Sequence, residues 1–166
     1  MSNQELSQKV QKVLEEKKPI MLSSLASQFG VTEKEIAEVL PYEMCSVTSG
    51  SNFSKVWDNL TTWEKATFIV QHAGHVIEIK CTIPQGKEGH GYYNLMGENP
   101  LGGHIKADAI AHIAFLSIPF MGLESHSVQF FAEDGSVAFA IYVGREKKVL
   151  IPSARDAFFK IKEELK

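Results

Sequence analysis

The spacing of apolar residues changes once along this chain, near residue 42, and no single class of secondary structure can accommodate both patterns. Before that point the period is helical. In "QELSQKVQKVLEEK" the residues Leu6, Val10, Val13 and Leu14 form one stripe, and Pro19 ends the segment. "SSLASQFG" offers Ser23 or Ser24 as an N-cap and Gly30 as a C-terminal stop. Thr32 and Glu35 have the spacing of a capping box at the head of "TEKEIAEVL", which Pro41 closes.

Beyond residue 42 the period is that of strands. "YEMCSVT", "ATFIVQ", "HVIEIKCTI", "YYNLM", "HIKADAI", "HIAFLSI", "SVQFF" and "VAFAIYVG" are the strand candidates. "FSKVWDNLTTWEKA" reads as a short helix or turn carrying Trp57 and Trp63. Ala73-Gly74 makes a tight hairpin turn. In the strand after it, Ile77, Ile79, Cys81 and Ile83 alternate with Glu78, Lys80 and Thr82, which predicts one buried face and one wet one. "PSARDAFFKIKEEL" closes the chain as a helix, with Pro152 near its start and Ala157, Phe158, Ile161 and Leu165 on one stripe. The expectation is an α+β protein: an antiparallel β-sheet domain over residues 42–166, with an N-terminal helical cap over 1–41 and a C-terminal helix, forming one compact unit.

Charge narrows the function. Seventeen basic and twenty acidic residues give a formal net charge of −3, so no overall basic field attracts nucleic acid. The two helices around Gly30 spell a helix-turn-helix, and a DNA-binding regulator is the rival they raise. The second helix, however, presents Glu33, Lys34, Glu35 and Glu38 where phosphate and bases would have to be met, and three carboxylates repel phosphate. The opening "MSNQELSQKV" has no basic and apolar leader pattern, and the most apolar stretch, "AIAHIAFLSIPFMGL", is interrupted by His112 and Pro119. A cytoplasmic location without membrane or nucleic-acid partners is therefore expected. Cys45 and Cys81 fall in strand segments and read as buried free thiols.

The chemistry-bearing residues gather in "HGYYNLMGENPLGGHIK", residues 90–106. On a strand, Tyr92, Asn94 and Met96 point one way, and Tyr93 and Leu95 the other. The second set suits a core. The turn-rich "GENPLGG" can close a hairpin, and pairing symmetric about Pro100 sets Met96 opposite His104, Asn94 opposite Lys106 and Tyr92 opposite Asp108. Tyr92, His104 and Lys106 then share a face, provided the register holds. A phenol, an imidazole and an ammonium on one wall suit an anionic, planar, iron-bearing ligand. Tyrosinate is a haem-iron ligand, although the free phenol, with a pKa of about 10, must lose its proton first. Packing of the aromatic pair is the competing account. His72 and His75 can meet across their turn, but no set of structural-zinc spacing accompanies them. Arg145 is a further cationic candidate. No G-x-G-x-x-G follows a strand and no G-x-S-x-G is present, so no dinucleotide or nucleophile-elbow chemistry is indicated.

"GHGYYNLMG", "GGHIKADAIAHIAF", "PFMGLESHSVQFF" and "IYVGREKK", in this order, resemble the intracellular haem-utilisation carrier family (HutX/ChuX), over about residues 20–165. That family is similar to one half of the two-repeat haem-trafficking proteins. The resemblance implies a haem-binding sheet domain, a homodimer in which two copies stand in for the two repeats, and a cytoplasmic carrier that is not itself an enzyme. It further implies delivery of haem to a haem-degrading enzyme; a haem-degrading activity of the chain's own is the alternative. The family's axial tyrosine matches Tyr92, and a histidine implicated in haem binding matches His104. A second implicated histidine falls on Gln71 here, with His72 one position later on the opposite face, which favours ligation by Tyr92 over a bis-histidine scheme.

Overall fold

The computed structural model describes residues 1–166. Three helices lead. α1 (Asn3–Glu15) starts at a reciprocal capping box between Ser2 and Glu5 and buries Leu6 and Val10. α2 (Leu22–Phe29) begins at Met21 rather than at Ser23 or Ser24, and no side chain caps it. Starting there brings Leu22 onto the buried stripe with Leu25 and Ala26, and that burial outweighs a serine cap. Gly30 ends α2 in the left-handed conformation. α3 (Glu33–Val39) opens on the expected Thr32–Glu35 box.

The strands are β1 (Cys45–Ser49), β2 (Ala66–His72), β3 (His75–Cys81), β4 (Gly86–Gly89), β5 (Tyr92–Leu95), β6 (Gly103–Ile105), β7 (His112–Ser117), β8 (His126–Phe131), β9 (Val137–Val143), β10 (Arg145–Glu146) and β11 (Val149–Leu150). α4 (Phe53–Leu60) follows β1, and α5 (Pro152–Glu164) closes the chain. All pairing is antiparallel: a six-stranded sheet in the order β1-β7-β8-β9-β2-β3, a three-stranded sheet β4-β5-β6, and the β10–β11 pair. β4, "GKEG", has no apolar alternation to announce it, and the short β10 and β11 lie beyond the pattern of β9. "HIKADAI" yields only the three residues of β6; Ala107–Ala109 turn into a 3₁₀ helix instead.

One face of the large sheet carries Phe115, Val128, Phe130, Phe139 and Ile141, packed with Phe53, Val56, Trp57 and Leu60 of α4 and Phe158 and Ile161 of α5. The other face contributes Cys45, Ala114 and Leu116 to a second core with Leu6, Leu25 and Ile36 of the helical cap. The cap covers only the β1–β7–β8 side. Over β9, β2 and β3 that face is open, as a cleft of about 960 Å³ with Ile69, Gln71, Glu78, Gln129 and Tyr142 in its walls. No helix is long and apolar enough to cross a membrane.

β3 departs from the predicted burial. Ile77 is 58% exposed, as is its neighbour Val76, although Ile79 and Cys81 are half-buried and Ile83 is buried. β2 pairs with β9 only as far as Ile69, so the end of the β2–β3 hairpin lacks that inner neighbour. Alternation assigns Ile77 to a face but does not supply anything to cover it.

Candidate functional site

The small sheet hangs on α4 through one aromatic residue. Tyr93 is buried, with its ring centroid 5.4 Å from that of Phe53 and 5.8 Å from that of Trp57. Its hydroxyl accepts a hydrogen bond from the Gly86 amide at 2.7 Å. Trp57 in turn donates to the Pro84 carbonyl just before β4. With Tyr93 and Leu95 turned inward, strand geometry turns Tyr92 and Asn94 outward.

His90-Gly91 is the two-residue turn between β4 and β5, both residues having positive φ, 53° and 81°. The "HGYYN" motif is thus a hairpin turn followed by the first residues of a strand. The next connection, 96–102, is held by Asn99, whose amide donates to the carbonyl and hydroxyl oxygens of Thr82 and whose carbonyl accepts from the Leu101 amide. The hairpin therefore folds about Asn99, not Pro100. Its pairs are Asn94 with His104, Tyr93 with Ile105 and Leu95 with Gly103. This shifts the expected register by two residues, and an even shift preserves the faces.

Tyr92, His104 and Lys106 do lie together. The Tyr92 and His104 rings meet edge to face at a centroid distance of 5.9 Å, and the Lys106 ammonium stands 5.6 Å from the Tyr92 ring centroid. All three side chains are exposed, Tyr92 at 42%. Only the backbone carbonyl of Tyr92 hydrogen-bonds to a side chain; its hydroxyl has no hydrogen-bond partner. His104 Nδ1 lies 2.6 Å from Asn94 Oδ1, and Lys106 Nζ lies 3.8 Å from an Asp108 oxygen. A cavity of about 460 Å³ opens at the β6 edge, lined by Phe68, Ile79, Leu101 and Phe139, with His104 and Lys106 at its lip. Tyr92 does not line it. A free phenol oxygen, an imidazole, an ammonium and neighbouring apolar surface can hold a flat, apolar, metal-bearing ligand with carboxylates.

The remaining candidates lie elsewhere. Arg145 donates to the carbonyls of Glu124 and Lys148 and lines the cleft on the far face of the large sheet. Gln71 also lines that cleft, while His72 and His75 pair at the exposed tip of the β2–β3 hairpin. His112 is half-buried. His126 is buried between Ser117 and Glu124, each 2.8 Å from a ring nitrogen. No group of three or more His, Cys, Asp or Glu side chains is arranged to hold a metal ion. Cys45 is buried and Cys81 half-buried, both free. Asn94 is the residue whose role the sequence concealed. Parity put it beside Tyr92, but its hydrogen bonds run to β4, which had no pattern of its own.

Residues 46–161 match the family described as haem utilisation ChuX/HutX. The chain is 44% identical over 149 residues to the intracellular heme transport protein HutX of Vibrio cholerae, an alignment covering 89% of this chain and 77% of that one. It superposes on ChuX, described as a heme binding protein, with a TM-score of 0.85 and 32% identity, over 93% of this chain and 97% of that one. The heme degrading enzyme ChuS of Escherichia coli O157:H7 is similar at a TM-score of 0.73 over 90% of this chain but only 46% of its own. At 16% identity that likeness is one of fold, to part of a chain about twice as long.

Proposed function

The chain belongs to the haem utilisation ChuX/HutX family, and from that premise we propose that it is an intracellular haem carrier in which Tyr92 takes the iron and the cargo passes intact to a haem-degrading enzyme. The observation that carries this reading is the Tyr92 hydroxyl: exposed, without a partner, and flanked by His104 and Lys106. A phenolate is a hard donor that suits ferric iron. The neighbouring ammonium can pair with a ligand carboxylate. His104 offers an imidazole on the same wall, and the apolar lining of the cavity beside β6 supplies contact for a flat ring.

An open wall suits a carrier. A cargo held at an exposed surface can be handed on without first opening a closed pocket. Two copies as a homodimer would stand in for the two repeats of the longer proteins, and the face of the large sheet left bare by the helical cap is surface available for that pairing. Transfer tests the carrier reading. The haem-loaded chain is given a reductant, alone and then with a haem-degrading enzyme. The expected result is a Soret band that shifts on reduction but is not lost when the chain is alone, and haem degradation only when the enzyme is present. A biliverdin-like product from the chain alone would replace the carrier with an enzyme.

A further inference from the structure

The hydrogen bonds of Asn94 determine which nitrogen of His104 carries the proton. The Asn94 Nδ2 lies 3.0 Å from the Lys87 carbonyl oxygen, 3.1 Å from that of Gly89 and 3.2 Å from that of Tyr92. Carbonyl oxygens only accept, so the atom among them must be the amide NH₂; the reverse orientation would set one oxygen against three. The Asn94 Oδ1 is then the atom 2.6 Å from His104 Nδ1. Since Oδ1 only accepts, Nδ1 must carry the proton, and in the neutral ring Nε2 keeps its lone pair.

We infer that Asn94 is a positioning residue that fixes His104 as the Nδ1–H tautomer, so that the wall presents a second Lewis base beside Tyr92 and not a second hydrogen-bond donor. The inference rests on the proposed haem site for its purpose, though not for its geometry. An Nε2 lone pair attracts a metal centre and repels a carboxylate. Carboxylate recognition on this wall therefore falls to Lys106, and His104 Nε2 adds a base that can serve the metal centre in place of Tyr92. The wall thereby discriminates a metalloporphyrin from the metal-free ring.

The test begins on the haem-free protein. Imidazole ¹⁵N NMR above pH 8 reads the tautomer of His104 in the wild type, Asn94→Leu and Asn94→Asp. The leucine cannot accept from Nδ1. The aspartate can accept but, like leucine, cannot donate to the three carbonyls, so it controls for loosening of the hairpin. The wild type and Asn94→Asp are expected to show Nδ1–H, and Asn94→Leu to lose it. An Nε2–H tautomer in the wild type, or no change in Asn94→Leu, overturns the assignment. Titrations with ferric haem and with metal-free protoporphyrin follow. Asn94→Leu should lose about tenfold or more of the preference for the metal-bearing ring, the usual scale for a residue that orients a ligating histidine, and Asn94→Asp should retain it. Equal weakening toward both rings would overturn the selective role. If the wild type shows Nδ1–H yet binds neither ring, the tautomer assignment is supported and the proposed function is what fails.

Discussion

The Tyr93 hydroxyl accepts from Gly86, and its ring fills the core beside Trp57; the Tyr92 hydroxyl, one residue earlier, touches no protein donor or acceptor. Strand parity alone separates the two. Their separation also depends on Gly86, because a Cβ there would come within 2.5 Å of the Tyr93 ring and push it out of its seat. The cysteines differ in a similar way. Burial pushes the Cys45 thiol up to about 12 and raises Cys81 as well, but Cys45 is sealed beneath the helical cap while Cys81 is half-buried at the end of an edge strand. The thiolate is the reactive form and needs access. A thiol reagent at pH 8 is expected to modify Cys81 alone in the folded chain and both cysteines after denaturation. Rapid labelling of Cys45 in the native protein would contradict the packing described for the cap.

Among the elements, the β2–β3 hairpin carries an avoidable cost. Its turn is Ala73-Gly74 with φ of 49° and 80°, and the left-handed conformation at an alanine costs about 1 kcal/mol or somewhat more. Asparagine tolerates that conformation and is favoured at this position. Ala73→Asn should therefore increase hydrogen-exchange protection in β2 and β3, with little change in β7 and β8; unchanged or lower protection in the hairpin would count against the turn assignment. Signals of this local kind were legible in the sequence. Gly30, the Thr32–Glu35 box, Pro152 and the Ala73-Gly74 turn each act within a few residues of themselves. The inward Tyr93 and outward Tyr92 were legible too, because parity needs only one strand. What the pattern could not supply depended on distant partners. Asn99 sets the β5–β6 register by reaching Thr82, and Asn94 orients His104 from a strand pair whose other member is "GKEG". Ile77 was given its face but not its exposure, since coverage is decided by where β9 stops pairing.

Across the whole molecule, His126 joins the large sheet to its closing helix. Its ring is bonded to Ser117 and Glu124, packs 5.1 Å from Phe158 and 4.8 Å from Phe159, and shares Glu124 with Arg155 of α5. Burial lowers its pKa, outweighing the raising influence of Glu124. The unfolded chain therefore takes up the proton first, so stability is complete above about pH 6.5 and falls as the pH drops below it. The thermal midpoint should decline between pH 7 and 5, and His126→Gln should flatten that slope; parallel curves would refute the linkage. At this scale the proposed function turns on the Tyr92 oxygen reaching iron. The most direct measurement is a titration of ferric haem into the wild type and Tyr92→Phe, followed by absorption and resonance Raman spectra. The wild type should show a phenolate-to-iron charge-transfer band, and the phenylalanine variant should lose that band together with a large part of the affinity. Identical spectra and affinities in the two proteins would contradict the account.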